Sequence, residues 1–187
     1  MSDTPPRPLH SIATRTGDDG TTGLLYGRRV AKNHPQIEAV GALDELNASL
    51  GFAKATQPGA ADHRELERIQ KELVALMGEI TCAEQDSARY LQSKLARIGE
   101  AELARLDAAV AVIEARQPSF EGWATPGANL HAAALDLART SARRAERQLA
   151  GLAGHGRNVR PLLGQYLNRL SDLLWLLARE AEETRPQ

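Results

Sequence analysis

Glycine, threonine and a single lysine are concentrated in residues 14–32, near the start of the chain. Glycine permits turns in which successive backbone N–H groups point into one concavity, and such a concavity binds phosphate. Threonine hydroxyls add donors there, and Lys32 adds a mobile positive charge. The stretch is not a Walker A loop, because no lysine directly follows Gly20 or Gly23 and no apolar strand precedes them. The same composition is typical of a turn-rich surface segment, so both interpretations stay open.

A second concentration of charge lies further along, where Arg139, Arg143 and Arg147 recur every four residues. On a helix this spacing places them on one face, and each like-charged pair costs roughly 0.2–0.5 kcal/mol. An anion lying across the stripe would explain it, and guanidinium groups match phosphate geometry better than lysine does. The alternative is a solvated face on which Asp136 and Glu146 compensate the arginines through ion pairs.

Polar side chains also interrupt segments that are otherwise apolar, and buried polar groups need partners. Asp44 and Asn47 lie in the first such segment, and Asn168 lies in the last. A buried ion pair between Asp44 and an arginine of the stripe would satisfy both and would fix how helices or subunits meet. The alternative is a surface carboxylate.

Metal-binding and nucleophile motifs are absent from the sequence. The five histidines are scattered, which argues against a structural zinc site. The one cysteine, Cys82, lies on a helical pattern beside Ile80, and we expect it to be a small buried filler. No nucleophile elbow is present.

The 187-residue chain is expected to form one domain, residues 1–187, with an N-terminal loop over 1–34 and a helical bundle over 35–183. Apolar residues make up 42% and aromatic residues only 4%, so leucine and alanine must fill the core. Both are good helix formers, and no strand alternation follows the loop. The sequence therefore predicts an all-α, antiparallel bundle.

Five helices are predicted from apolar spacing and from residues that begin or end helices. The first helix follows Pro35, and the second begins near Asp62 with Glu65 as a capping-box partner. The third ends before Pro118, and the fourth runs from about Ala128 to Leu152. The fifth is capped by Asn158 and has Pro161 in its first turn.

Charge and hydropathy narrow the classes of partner. A net charge of −1 gives no overall basic field, so no nucleic-acid partner is expected. The sequence contains no uninterrupted run of about eighteen apolar residues, the length that a membrane-spanning helix needs. The polar, proline-bearing start lacks the apolar core of a secretory signal, and we expect a cytoplasmic protein.

Four separated motifs, in one order, closely resemble those of the PduO-type ATP:cob(I)alamin adenosyltransferases. They are Thr14-x-Thr-Gly-Asp-x-Gly with Lys32, Gly41-x-x-Asp44-Glu-Leu-Asn47, Arg139-x-x-x-Arg143-Arg-Ala-Glu-Arg147 and Leu167-Asn-Arg-Leu-Ser-Asp172. The resemblance spans nearly the whole chain, from Thr14 to about Arg179. It implies a five-helix bundle that assembles as a homotrimer, with ATP and the corrinoid held near subunit interfaces.

The resemblance also implies residue roles. Asp44 and Arg139 would form an interface ion pair, and Lys32, Arg143 and Trp123 would serve catalysis. The implied ATP-binding residues are Thr14, Arg15, Thr16, Gly17, Thr22, Gly23, Lys32, Arg143, Arg144, Glu146, Arg147 and Asn168.

The corrinoid side of the implied site departs from the family pattern. The family has an aromatic residue, usually phenylalanine, sixteen positions before Arg139, where it blocks the lower face of cobalt; here that residue is Trp123, with Phe120 nearby. Ordinary packing is the alternative role for this tryptophan. Relatives also tend to have a second glycine at Ala128 and a histidine at Asp136.

The reaction that the resemblance implies is attack of Co(I) on the 5′ carbon of ATP, which gives adenosylcobalamin and intact triphosphate. Cobalt supplies the nucleophile, so the protein must orient ATP and neutralise the leaving group. ATP, Mg²⁺ with unassigned ligands, cobalamin, a reductase and a cobalamin-dependent acceptor enzyme are the implied partners. The alternatives are an ATP hydrolase or kinase, and a non-catalytic corrinoid-binding scaffold.

Overall fold

The computed structural model describes residues 16–116 and 123–183, and most of them are helical. In chain order the helices are α1 (Pro35–Thr56), α2 (His63–Ile80), α3 (Ser87–Leu91), α4 (Glu100–Glu114), α5 (Leu130–Gly151) and α6 (Pro161–Glu183). The prediction of a mainly helical protein is confirmed. The five longer helices follow the predicted helical segments, whereas the short α3 has no counterpart in the prediction.

Successive long helices alternate in direction. Two contacts show that α1 and α5 are antiparallel. The Ser49 Oγ lies 3.3 Å from the Ser141 Oγ. Further along α1, the Thr56 Oγ1 lies 2.9 Å from Nδ1 of His131, which is nearer the start of α5. The same reversal relates α5 to α6. The start of α1, the end of α5 and the start of α6 therefore lie together, at what we call the loop end of the bundle. The segment that leads into α5 joins the bundle at the opposite end.

Leucine, isoleucine and alanine fill the core. Leu43, Leu46 and Leu50 of α1 are fully buried, and each buried leucine contributes about 1.5–3 kcal/mol relative to exposure. Small side chains line the buried side of α5 and let its neighbours approach closely: Ala132, Ala134, Ala138, Ala142 and Ala145. Cys82 is buried, as predicted. No helix in the described ranges is long and apolar enough to cross a membrane.

Residues at two helix starts hold the first turn through side-chain hydrogen bonds. Nδ1 of His34 accepts from the Gln36 backbone N–H at 3.2 Å, one residue after the initial Pro35. Oδ1 of Asn129 accepts from the Ala132 N–H at 2.9 Å at the start of α5. These contacts satisfy N–H groups that the helices themselves leave without partners.

Two predicted caps are wrong. Asp62 makes no capping hydrogen bond to α2, and its Oδ2 instead lies 3.2 Å from Nε2 of His131. α6 begins at Pro161, so Asn158 lies outside the helix, and its backbone N–H donates to Oε2 of Glu84 at 3.2 Å. A partner distant in sequence thus binds the carboxylate of Asp62 and the backbone N–H of Asn158.

The all-α prediction also missed a small sheet. β1 (Thr21–Gly23) pairs antiparallel with β2 (Arg29–Ala31), and Thr22 lies opposite Val30. We call residues 21–31 the hairpin. Strands of three residues are too short to produce a recognisable alternation of apolar and polar residues. The hairpin directly precedes α1, so it lies at the loop end.

Candidate active site

The turn before the hairpin brings Gly17 and Lys32 together. The Gly20 N–H donates to the Gly17 carbonyl at 3.2 Å, and the Lys32 N–H donates to the Gly20 carbonyl at 2.9 Å. A Cβ placed on Gly17 would lie only 3.1 Å from Nζ of Lys32, so the ammonium group occupies space that a larger residue would fill. This cradle, defined as residues 16–20 with Lys32, places the Lys32 cation against a glycine turn, where a phosphate could approach it closely. Thr14 and Arg15 lie outside the described residues.

A side-chain network closes the other side of the cradle. Asp19 accepts from the Thr21 N–H at 2.9 Å and from the Thr21 hydroxyl at 2.8 Å. Arg29 donates to the Thr21 hydroxyl through Nε at 3.0 Å and to the Thr16 carbonyl at 2.7 Å. The hydrogen bonds from Thr21, with the charge of Arg29, hold the pKa of Asp19 below its ordinary value. The loop is thus fixed by internal bonds.

Asp19 and Arg29 were not among the predicted site residues. The Asp-x-Thr spacing of residues 19–21 is typical of a side chain that bonds backbone two residues on, and this signal could have identified Asp19. Arg29 has no such local signal, because its role depends on the hairpin that brings it back to Thr16.

The arginine stripe divides into two kinds of residue. Arg143 and Arg147 are exposed and take part in no ion pair within the part of the chain that the structure describes. Arg139 is half-buried, and its Nε donates to Oδ1 of Asp136 at 3.1 Å. Arg144 binds Glu45 of α1. An acidic residue of the same helix therefore compensates the charge of Arg139, as the alternative interpretation expected. The guanidinium groups of Arg143 and Arg147 remain available to an anion.

Glu146 and Asn168, both predicted to bind ATP, lie side by side. Nδ2 of Asn168 donates to Oε1 of Glu146 at 3.3 Å, which joins α5 to α6. The ion pair that helix spacing would allow between Arg143 and Glu146 is not present among the described contacts. Thr22 and Gly23 lie on β1, next to the cradle.

Asp44 and Arg139 do not pair within one chain. Asp44 is exposed on α1, and no ion pair in the described ranges joins it to an arginine of α5. The buried pair belongs instead to Asp136, whose Oδ2 accepts from Arg179 at 2.5 Å, with both side chains 3% exposed. Asp136 thereby connects Arg139 to α6. Sequence reasoning missed Arg179, because nothing local marks a partner on another helix.

Large apolar side chains, among them the implied cobalamin-binding residue Trp123, are exposed on the described surface. Trp123 is 93% exposed, so ordinary packing within the bundle is not its role in this structure. Phe52 of α1 and Leu130 and Leu137 of α5 are also about half exposed or more. Exposed apolar groups of this size are typical of binding surfaces. Phe120 lies outside the described residues.

A resident metal site is not evident in the described ranges, which contain no cluster of three or more histidine, cysteine, aspartate or glutamate side chains able to hold an ion. Magnesium that accompanies a nucleotide needs few protein ligands, since phosphate oxygens and water supply most of its coordination.

A lysine beside a glycine turn, and two arginines without an ion pair in the described ranges, are the kinds of group with which helical nucleotide-binding proteins hold phosphate. The family model described as cobalamin adenosyltransferase matches residues 12–181, and the chain belongs to that family.

Relatives and solved structures agree with this assignment. The chain is 40% identical over 180 residues to the corrinoid adenosyltransferase PduO of Citrobacter freundii. The match covers 95% of this chain and 51% of the relative. The chain thus spans about half the length of that relative. A second corrinoid adenosyltransferase of Citrobacter freundii is 38% identical, with 95% of this chain and 98% of the relative covered.

Among solved structures, a variant PduO-type ATP:corrinoid adenosyltransferase from Lactobacillus reuteri, complexed with cobalamin and ATP, superposes with a TM-score of 0.83. It is 29% identical, and the match covers 94% of this chain and 97% of that chain. Another variant of the Lactobacillus reuteri enzyme, complexed with ATP, gives a TM-score of 0.81 at 28% identity.

Proposed function

We propose that this protein transfers the 5′-deoxyadenosyl group of ATP to Co(I) of cobalamin, giving adenosylcobalamin and triphosphate. The observation that carries the proposal is that a chain of this family has both a Gly17–Lys32 cradle and two arginines, Arg143 and Arg147, without an ion pair in the described ranges. A polyphosphate is the ligand that would use all of these groups at once. The similar variant of the Lactobacillus reuteri adenosyltransferase is complexed with cobalamin and ATP.

In this reaction an electron pair on cobalt forms the new bond to the 5′ carbon, while the bond from that carbon to the triphosphate oxygen breaks. Triphosphate leaves with the electron pair, and no proton is transferred. The protein therefore needs no general base. Lys32, Arg143 and Arg147 would hold the triphosphate in line and offset the negative charge that develops on its leaving oxygen.

Magnesium would accompany the triphosphate and reduce its charge. Glu146, whose Oε1 lies beside Asn168, is the carboxylate in the described part of the site that is closest in sequence to the free arginines. It fits the one or two carboxylates that magnesium takes from protein when phosphates complete its coordination.

Trp123 would exclude the lower axial ligand of cobalt. Its large exposed apolar ring suits a role against a planar macrocycle, with Phe120 contributing from the same connection. A four-coordinate cobalt is easier to reduce from Co(II) to Co(I). Reduction would come from a partner reductase, and the product would pass to a cobalamin-dependent enzyme.

The working form would be a cytoplasmic homotrimer of five-helix subunits, each a single domain. Exposed Asp44 on α1 supports this proposal, because within one chain it has no arginine partner on α5 while Arg139 retains nitrogens beyond the one bound to Asp136. The exposed apolar side chain of Phe52 would be covered at the same interface. A neighbouring subunit could then complete the site.

One incubation tests the reaction. The protein is mixed with ATP, Mg²⁺ and chemically reduced cobalamin, and the mixture is analysed for triphosphate and for a light-sensitive alkylcobalt spectrum. Both products are expected in equal amounts. Inorganic phosphate without corrinoid would favour an ATP hydrolase or kinase, and tight cobalamin binding without turnover would favour a non-catalytic scaffold.

A further inference from the structure

The tip of the hairpin rests on residues 81–90, a segment that leads from α2 into α3. Arg28 binds Asp86 through two nitrogens: Nε donates to Oδ2, and the second nitrogen donates to Oδ1 at 3.2 Å. Paired hydrogen bonds of this kind fix orientation as well as distance. The guanidinium carbon of Arg89 lies 4.0 Å from the centre of the Tyr26 ring, which is within the range of a cation–π contact.

The backbone at the tip needs external support. Tyr26 has φ 66° and Gly27 has φ 85°. A bulky residue rarely adopts a positive φ, and such a conformation persists where surrounding contacts hold it. The stacked Arg89 supplies one such contact. The neighbouring Leu25 N–H, which donates to the Thr81 carbonyl at 3.0 Å, supplies another.

The supporting segment is itself tied to the bundle. Nε2 of Gln36, in the first turn of α1, donates to the Ile80 carbonyl at 2.5 Å and to the Cys82 carbonyl at 3.0 Å. Glu84 accepts from Arg157 at 2.5 Å, which connects the segment to the residues between α5 and α6. The position of the hairpin tip is therefore fixed relative to the loop end of the bundle, where α5 ends.

We propose that Tyr26, Arg28, Asp86 and Arg89, here named the tip clamp, are positioning residues for nucleotide binding. This inference rests on the proposed function. Within the described residues, none of the four bonds to the cradle. A hairpin with three-residue strands has little stability of its own, so its orientation depends on where its tip is docked.

The tip clamp makes a specific kinetic prediction. Releasing the tip leaves every phosphate-binding group intact but lowers the fraction of molecules in which the cradle is correctly oriented. The apparent affinity for ATP falls in proportion to that fraction. Once ATP is saturating, the cradle is held by the ligand, and the rate of the chemical step is restored.

Two variants test the inference from different sides. Asp86→Asn removes the charge and keeps the shape of the side chain. Tyr26→Gly removes the ring and suits the positive φ, so added backbone strain cannot explain its effect. We expect each to raise the ATP KM by about three- to fivefold, the range of an exposed ion pair or a cation–π contact. The kcat at saturating ATP should stay within about twofold of wild type.

A matched control is Glu67→Gln, which breaks an exposed ion pair with Lys71 on α2. Its ATP KM should equal that of the wild type. Hydrogen exchange provides a readout that does not depend on turnover: the Leu25 N–H should exchange faster in Asp86→Asn than in Glu67→Gln.

The outcomes separate the inference from the proposed function. A wild-type protein that binds ATP but forms no adenosylcobalamin would refute the proposed reaction, and ATP affinity by calorimetry would then replace KM as the measure of the tip clamp. An unchanged KM or affinity in both clamp variants overturns the inference. So does a loss of kcat with unchanged KM, or Leu25 exchange that matches the control.

Discussion

Replacing Gly17 by alanine tests the cradle directly. The new Cβ would lie 3.1 Å from both Cε and Nζ of Lys32 and 3.2 Å from the Thr21 carbonyl oxygen. Ordinary carbon contacts begin at about 3.5 Å, so a neighbour has to move by a few tenths of an ångström. The Thr21 backbone is held by its pairing with Ala31. We therefore expect the flexible Lys32 side chain to move, which takes its ammonium group out of line with a bound phosphate.

The size of the effect follows from the bond that is disturbed. A hydrogen bond to a charged group contributes about 1.5–3 kcal/mol, and Lys32→Ala removes it completely. Lys32→Ala should therefore weaken ATP binding by about 10- to 150-fold. Gly17→Ala only displaces the ammonium group, and a loss of about 1 kcal/mol corresponds to a roughly fivefold higher Kd. Isothermal titration calorimetry with Mg·ATP measures both.

The control and the double variant make the reasoning refutable. Gly154→Ala adds the same methyl group where nothing lies within 4 Å, and it should bind ATP like the wild type. If Gly17 acts through Lys32, the double variant Gly17→Ala/Lys32→Ala should bind no more weakly than Lys32→Ala. Fully additive losses would show that Gly17 acts through something else. Wild-type affinity in Gly17→Ala would show that the ammonium position does not matter.

Three further perturbations address other parts of the molecule. Arg143→Ala should weaken ATP binding by about 1.5–3 kcal/mol in the same titration, and an unchanged affinity would count against a triphosphate contact. Trp123→Ala should spare ATP binding yet slow adenosylation of Co(II) substrate supplied with a reductant; equal losses in both would contradict its role. Burial raises the pKa of Glu72, and a 2.7 Å hydrogen bond from Tyr166 opposes that rise. Tyr166→Phe removes this bond. A carboxyl pKa that is raised in the folded state destabilises the fold increasingly as pH rises above the ordinary value of 4.5. The free energy of unfolding, measured in urea, should therefore fall by about 1–3 kcal/mol at pH 7 and by less at pH 4. The same loss at both pH values would argue against an ionised Glu72.

The parts of the fold that could be predicted are those whose signal is local. Leu43, Leu46 and Leu50 repeat at helical spacing and are fully buried in α1, and Pro35 marks the start of that helix. The predicted cap at Asp62 failed because a tertiary partner, His131, binds the carboxylate, and the cap at Asn158 failed because α6 begins three residues later, at Pro161. Such a partner, 69 residues away in the case of His131, leaves no trace in the local pattern.

The candidate site shows the same division. The glycines and Lys32 could be selected from type and spacing, and the structure brings Gly17 and Lys32 together. The contacts that hold them, such as Arg29 to the Thr16 carbonyl, depend on a hairpin that the sequence pattern did not indicate. Their roles in binding ATP remain predictions.

The exposed side chains of α5 change from apolar to cationic along its length, on faces about a quarter to a third of a turn apart, and this change bears on how two unlike substrates could be oriented. Leu130 and Leu137 lie in its first half, while Arg143 and Arg147 lie in its second half, toward the loop end. At 1.5 Å per residue, about 20 Å separates the start of the helix from Arg143. A triphosphate is attracted to the cationic half, and a corrin ring loses unfavourable contact with water against the apolar half. The 5′ carbon of a nucleotide bound in this sense would point away from the loop end and toward the cobalt. One helix could therefore set the direction of transfer, provided that the hairpin holds the phosphates at its far end.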